Sequence, residues 1–121
     1  LRRIECLAGT IDSDYQVRRL AMIAGVVSNI RTEESISVAK SMAMPRSGSD
    51  TPRVRPERFR RFLASQDTEE ILSAFRRLLY LLDNSANIAD IANRLYWWND
   101  KTDRNRREMA LEYYRQIPAV A

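Results

Sequence analysis

The chain contains no histidine. That removes the commonest general base, the commonest metal ligand and the usual hydrolytic triads. A single cysteine, Cys6, can form neither an internal disulfide nor a cysteine-rich zinc site, and it reads as a packed small residue in a reducing cytoplasm. Only 3 glycines are present, too few for a glycine-rich phosphate loop. No apolar run approaches the roughly 18 residues of a membrane span. No signal-peptide pattern is present, and the start at Leu1 in place of Met reads as a trimmed edge. The acidic residues lack any fixed ligand spacing. These absences argue against an enzyme and lead us to expect no cofactor and no metal.

What remains is 121 residues, 45% of them hydrophobic, enough for one compact domain or two small helical halves sharing a core. The basic set is lopsided, with 18 Arg and 2 Lys making up the 20 basic residues. Arginine presents a planar fork that grips phosphate bidentately and stacks on bases. The charge is also unevenly placed. Residues 46–61 carry six Arg against Asp50 and Glu57, and residues 101–107 carry Lys101, Arg104, Arg106 and Arg107 against Asp103. Between them, residues 62–100 hold three Arg against six acids. Two basic clusters around an acidic stretch suggest a polyanion surface beside a protein-contact surface. The competing reading is a solvated helical surface laced with ion pairs.

The apolar pattern is helical throughout, with no strand of convincing alternation and no internal repeat. Ser13 or Asp14 opens a helix over 13–30 whose apolar face is Leu20, Ile23, Val26, Val27 and Ile30. Arg19 falls near that face, to snorkel, to pair with an acid or to meet a ligand. Residues 36–44 form a short helix. Residues 45–52, with two prolines and a glycine, form a loop. Pro56 suits the first turn of a helix that turns Phe59, Phe62 and Leu63 inward and Arg58, Arg60 and Arg61 outward. Asp67 or Thr68 caps the most amphipathic helix, with Ile71, Leu72, Phe75, Leu78, Leu79 and Leu82 on the core side, Arg77 opposite and Arg76 at the edge. Asp83-Asn84-Ser85 is a turn. A helix over 87–98 buries Ile88, Ile91, Ala92 and Leu95 and ends in Trp97-Trp98. The last helix, from about Asp103 to Gln116, buries Met109, Ala110, Tyr113 and Ile117. The fold expected is all-α without a sheet: a helical half over 1–45, a linker loop over 46–55 and a helical bundle over 56–121.

Adjacent helical positions point about 100° apart, so at most one of Trp97 and Trp98 can sit fully inward. The pair either wedges into the core or stacks nucleobases. The basic cluster at 101–107 opens a helix, where backbone N–H groups attract anions, or else pairs with Asp100, Asp103 and Glu108. A helix-turn-helix reading of 68–98 would leave only Asn87, Asn93 and Arg94 as base readers.

Taken in order, these features resemble the CasB family, the small subunit of the type I-E CRISPR Cascade complex. Asn87-Ile-Ala-Asp-Ile-Ala-Asn-Arg-Leu-Tyr-Trp-Trp98 is similar to that family's penultimate helix, followed by a basic helix at Lys101–Arg107 and by Glu112-Tyr113-Tyr114. Ile36-Ser-Val-Ala-Lys-Ser-Met-Ala43 resembles a family segment in which Gly and Arg stand where this chain has Ala39 and Lys40. Arg58–Leu63 and Ile71–Leu82 match the next two helices, and Leu1-Arg2-Arg3-Ile4 an upstream basic pair. A few extra residues separate Trp98 from Tyr113, and the Ile30–Ser35 segment is short. The resemblance implies a non-catalytic subunit, present as two copies, that holds the displaced DNA strand and the backbone of the guide RNA–DNA hybrid beside the Cascade backbone and large subunits, with no membrane partner. The phosphate contacts expected from clustering and resemblance together are Arg2, Arg3, Arg18, Lys40, Arg53, Arg58, Arg60, Arg61, Lys101, Arg104 and Arg107. The alternative function is a helical protein–protein adaptor without a nucleic-acid role.

Overall fold

The computed structural model describes residues 14–99 and 101–117, apart from the side chain of Tyr15. Arg2, Arg3, Cys6 and Pro118 lie outside the described residues. Among the described residues six helices and two very short strands follow one another: α1 (Asp14–Val27), β1 (Thr32–Glu33), α2 (Val38–Ala43), α3 (Pro56–Leu63), α4 (Thr68–Leu81), β2 (Ser85–Ala86), α5 (Ile88–Tyr96) and α6 (Arg104–Gln116). No helix among the described residues is long and apolar enough to cross a membrane.

Local chemistry sets the helix ends. Ser37 caps α2 by accepting from the Lys40 N–H. Pro56 occupies the first turn of α3, where its missing N–H costs nothing. Asp67 and Glu70 form a reciprocal capping box on α4. The hydrogen bond from the Glu70 N–H holds the Asp67 carboxyl below the usual carboxylate range, assisted by the Glu70 side chain. At the other end of α4, Asp83 and Asn84 both adopt left-handed backbone (φ 58° and 57°), a conformation Asp and Asn tolerate better than most side chains. The Asn84 N–H then returns to the Leu79 carbonyl at 2.8 Å.

The expectation of no sheet is corrected here. β1 and β2 pair in parallel, Thr32 with Ser85 and Glu33 with Ala86. Ser85 therefore leaves the turn and enters a strand. Two-residue strands have no alternation to read, so the pairing leaves no periodic trace. It nonetheless organises the neighbourhood. The Glu33 carboxylate accepts the Ile88 N–H at 2.9 Å at the start of α5, and Ser85 donates to Glu34 at 2.5 Å. Asp90, in the first turn of α5, accepts the Val38 N–H at the start of α2 at 2.7 Å. At the far end of α5, Arg19 donates from Nε to the Tyr96 carbonyl at 2.7 Å and from Nη2 to that of Leu95 at 3.3 Å. The structure gives Arg19 a role outside the three expected, on the carbonyls at the C-terminus of α5, where a cation also suits the dipole.

A continuous core runs from Ile23 and Val26 through Val38, Met42 and Val54 to Tyr113. Ile88, expected inside, is 39% exposed at the helix entry. Phe62, Phe75 and Trp98 form a triangle of edge-on rings 5.0–5.3 Å apart. Phe59 stacks on Tyr113 at 3.9 Å. The 45–52 loop is closed by a bridge between Pro45 and Pro52 and turns at Gly48 (φ 79°). Val54, just beyond it, is buried, and its carbonyl accepts the Tyr113 hydroxyl.

Burial, and secondarily the neighbouring Tyr114, pushes the Tyr113 phenol up to about 12. A phenol that holds its proton more tightly when folded stabilises the fold fully below the unfolded value of about 10, and that contribution is lost as pH rises through the folded value. Tyr113→Phe should therefore lower stability by about 1–3 kcal/mol at neutral pH, the cost of an unmatched buried carbonyl. It should also flatten the alkaline loss of stability between about pH 10 and 12. Urea melts of both proteins across that range would show it, and parallel alkaline curves would refute it.

Candidate nucleic-acid interface

On α3, residues Arg58, Arg61, Phe62 and, just past its end, Ser65 recur at helical spacing along one flank. On α4, residues Glu70, Ser73, Ala74 and Arg77 do the same beside the core stripe. The two flanks face each other across a groove of about 460 Å³. Phe62 and Leu78 contribute to its apolar floor, and both are otherwise almost wholly buried. Arg58, Arg61 and Arg77 stand on its walls, all exposed. None of their three guanidinium groups makes a hydrogen bond or ion pair with another described residue.

Unpaired guanidinium groups converging on one groove differ physically from those already satisfied. Arg46 is tied to Asp83 at 3.2 Å and to the Leu81 carbonyl at 2.9 Å. Arg94 is one-tenth exposed and lies among Asp90 (3.2 Å), Glu108 (2.9 Å) and Glu112 (3.0 Å), with a further bond to Asn105. Its inward position removes it as a base reader. Arg106 donates to the carbonyls of Leu63 (2.7 Å) and Ser65 (2.8 Å) and lies over the Trp98 ring at 5.0 Å. This anchor fixes the start of α6 beside the end of α3, next to the groove.

The other residues expected at the interface are spread over the surface. Arg60 is exposed on α3 but does not line the groove. Arg53 is half-buried, with its backbone N–H on the Met44 carbonyl and its buried Nε without a partner. Lys40 is half-buried on α2, and Arg18 is exposed on α1. Lys101 is exposed ahead of α6. Arg104 pairs loosely with Glu108 at 3.4 Å, and Arg107 donates to the Thr102 carbonyl at 3.1 Å. The structure thus brings Arg58 and Arg61 together with Arg77, which the sequence reading had left outside the expected set. The spacing within α4 does not single out Arg77, because its place in the groove depends on the approach of α3.

The helix expected over 87–98 stops at Tyr96, and the two tryptophans just past its end separate, one inward and one outward. Trp98 is fully buried, with its indole N–H on the Ser65 carbonyl at 2.7 Å. Trp97 is 55% exposed, edge-on to Tyr96.

In comparison with known proteins, the family model described as CRISPR-associated protein Cse2 matches residues 8–114. No curated protein and no solved structure matches the chain significantly.

Proposed function

The chain belongs to the CRISPR-associated Cse2 family, the small subunit of type I-E Cascade, and on that premise we propose that it holds nucleic-acid backbone without regard to sequence, stabilising the R-loop and the displaced strand. The observation that carries this reading is the set of three unpaired guanidinium groups, Arg58, Arg61 and Arg77, around the α3–α4 groove. Guanidinium forks bind phosphate oxygens bidentately, release condensed counterions and carry no base code. Exchange of a DNA duplex for a guide hybrid is nearly balanced in energy, so a modest number of backbone contacts tips it. Arg18, Lys40, Arg53, Arg60, Lys101, Arg104 and Arg107, spread over other parts of the surface, are proposed as further phosphate contacts. Exposed Trp97, Leu111 and Tyr114 support docking on the other Cascade subunits and on a second copy.

The test is fluorescence anisotropy of the full chain on single- and double-stranded DNA and RNA over a salt series. Affinity should fall steeply with salt and ignore sequence. Reversing Arg58, Arg61 and Arg77 to Glu should weaken binding and reduce the slope of log affinity against log salt by about 2–3, roughly one per lost phosphate contact. An unchanged slope and affinity would overturn the proposal. The adaptor reading has its own support, because Arg46, Arg94 and Arg106 are all satisfied internally. Weak binding with little salt response would favour it.

A further inference from the structure

The α3–α4 groove holds more than a phosphate needs. Three guanidinium groups on a flat surface suffice for backbone contact. Here they surround a concavity of about 460 Å³, within the size range of pockets that take small organic ligands. Its floor is apolar and includes Phe62. Its wall also carries the Ser73 hydroxyl and the Glu70 carboxylate. A carboxylate in a site made only for anions would repel its ligand. Glu70 spends one oxygen on the Asp67 N–H at a loose 3.4 Å, which leaves the carboxylate of a groove-lining residue with acceptor capacity to spare. The combination suits a ligand with three parts: an anionic group for the arginines, a flat apolar body for the floor and N–H donors for Glu70.

A nucleotide has those three parts. We infer that the groove is a nucleotide subsite, in which one unpaired base of a bound single strand enters between α3 and α4 while its flanking phosphates rest on Arg58, Arg61 and Arg77. This inference rests on the nucleic-acid reading above and adds a preference that backbone contact alone lacks. A base locked in a duplex cannot enter without being extruded, whereas a base in a single strand enters at little cost. The amine-bearing edges of guanine, cytosine and adenine offer the donors that a carboxylate accepts, and guanine, with its adjacent N1–H and N2–H, offers two.

The test fills the groove without touching its charge. Ser73 is exposed on α4, so Ser73→Trp can occupy the space while the fold stands. Expected for this variant is a loss of about tenfold in affinity for single-stranded DNA, within the range one stacked base contributes, with duplex affinity and salt slope unchanged. Ala74→Phe, which fills the same space from deeper in the wall, should act alike. With the unaltered protein, guanosine or cytidine monophosphate should displace a labelled single strand at concentrations where ribose 5-phosphate does not. Unchanged single-strand affinity in the Ser73→Trp chain would overturn the inference, as would equal competition by ribose 5-phosphate. Both results leave backbone binding intact. Insensitivity of all binding to the triple Arg→Glu reversal would instead remove the proposed function, and the subsite with it.

Discussion

Trp98→Ala should destabilise the protein by about 3–5 kcal/mol, while Trp97→Ala, one residue away, should shift stability by no more than about 0.5 kcal/mol. The asymmetry follows from geometry. The Trp98 ring closes the triangle with Phe62 and Phe75, donates to the Ser65 carbonyl and lies under the Arg106 guanidinium. Its removal opens a cavity that joins α3, α4 and α6, and strips Arg106 of its platform. A domain of this size has only about 5–15 kcal/mol of stability in total, so the variant should melt more than about 10 °C lower. Trp97 leaves no cavity because more than half of its surface is already in solvent. Urea denaturation of both variants is the measurement. Similar losses would show that the two rings share one structural role. If Trp97 contacts a partner, its replacement should register as weaker assembly with the other subunits while the isolated chain stays stable.

Arg94→Ala should cost about 3 kcal/mol, again read from urea denaturation. This guanidinium is the hub of a partly buried network joining α5 to α6. It neutralises Asp90, Glu108 and Glu112 and accepts company from Asn105, whose own amide returns to the Arg94 carbonyl at 2.9 Å. Removing the cation leaves three carboxylates facing one another. The expected cost sits at the low end for buried pairs because Glu108 and Glu112 retain access to water. Asp90 also carries the Val38 N–H, so the loss should propagate to the start of α2. Arg94→Lys should recover less than half of the stability, since one ammonium cannot reach three carboxylates from a single position. A loss below about 0.5 kcal/mol in Arg94→Ala would class the network with ordinary surface pairs and overturn this account.

These two cases also show what a sequence can and cannot disclose. The Asp67 cap, Pro56 at a helix start and the core stripe of α4 were legible because each is decided within one or two turns of helix. The split between Trp97 and Trp98 was legible as a constraint, since adjacent positions diverge, but the choice between them belongs to the packing of α3 and α4. The parallel pairing of β1 with β2 was not legible. It joins residues far apart in sequence, and its strands are too short to carry a pattern. Among the arginines, charge alone could not distinguish Arg94 and Arg106, turned onto carboxylates and carbonyls, from Arg58 and Arg61, left unpaired. That distinction depends on which partner the fold delivers, as does the entry of Arg77 into the groove. The family resemblance, resting on the order of short motifs, anticipated the Cse2 match, but it did not supply Arg77.

Apart from the Met42 and Met44 carbonyls, which take the Val54 and Arg53 amides, and the Pro45–Pro52 bridge, the long-range hydrogen bonds of residues 31–46 run to residues 81–90. The Arg31 and Thr32 amides reach the Asn84 carbonyl, Glu33 reaches Ile88, Glu34 reaches Ser85, Val38 reaches Asp90, and Arg46 reaches Leu81 and Asp83. A ribosome releases the first of these segments well before the second. During that interval the early segment has a strand without a neighbour, and the Val38 N–H at the start of α2 lacks its Asp90 carboxylate. Productive folding therefore waits on the late arrival of α5, and the nascent chain depends on staying soluble until then. The charged side chains of its early segments serve that interval as well as the finished protein, because strong hydration slows the association of incomplete chains.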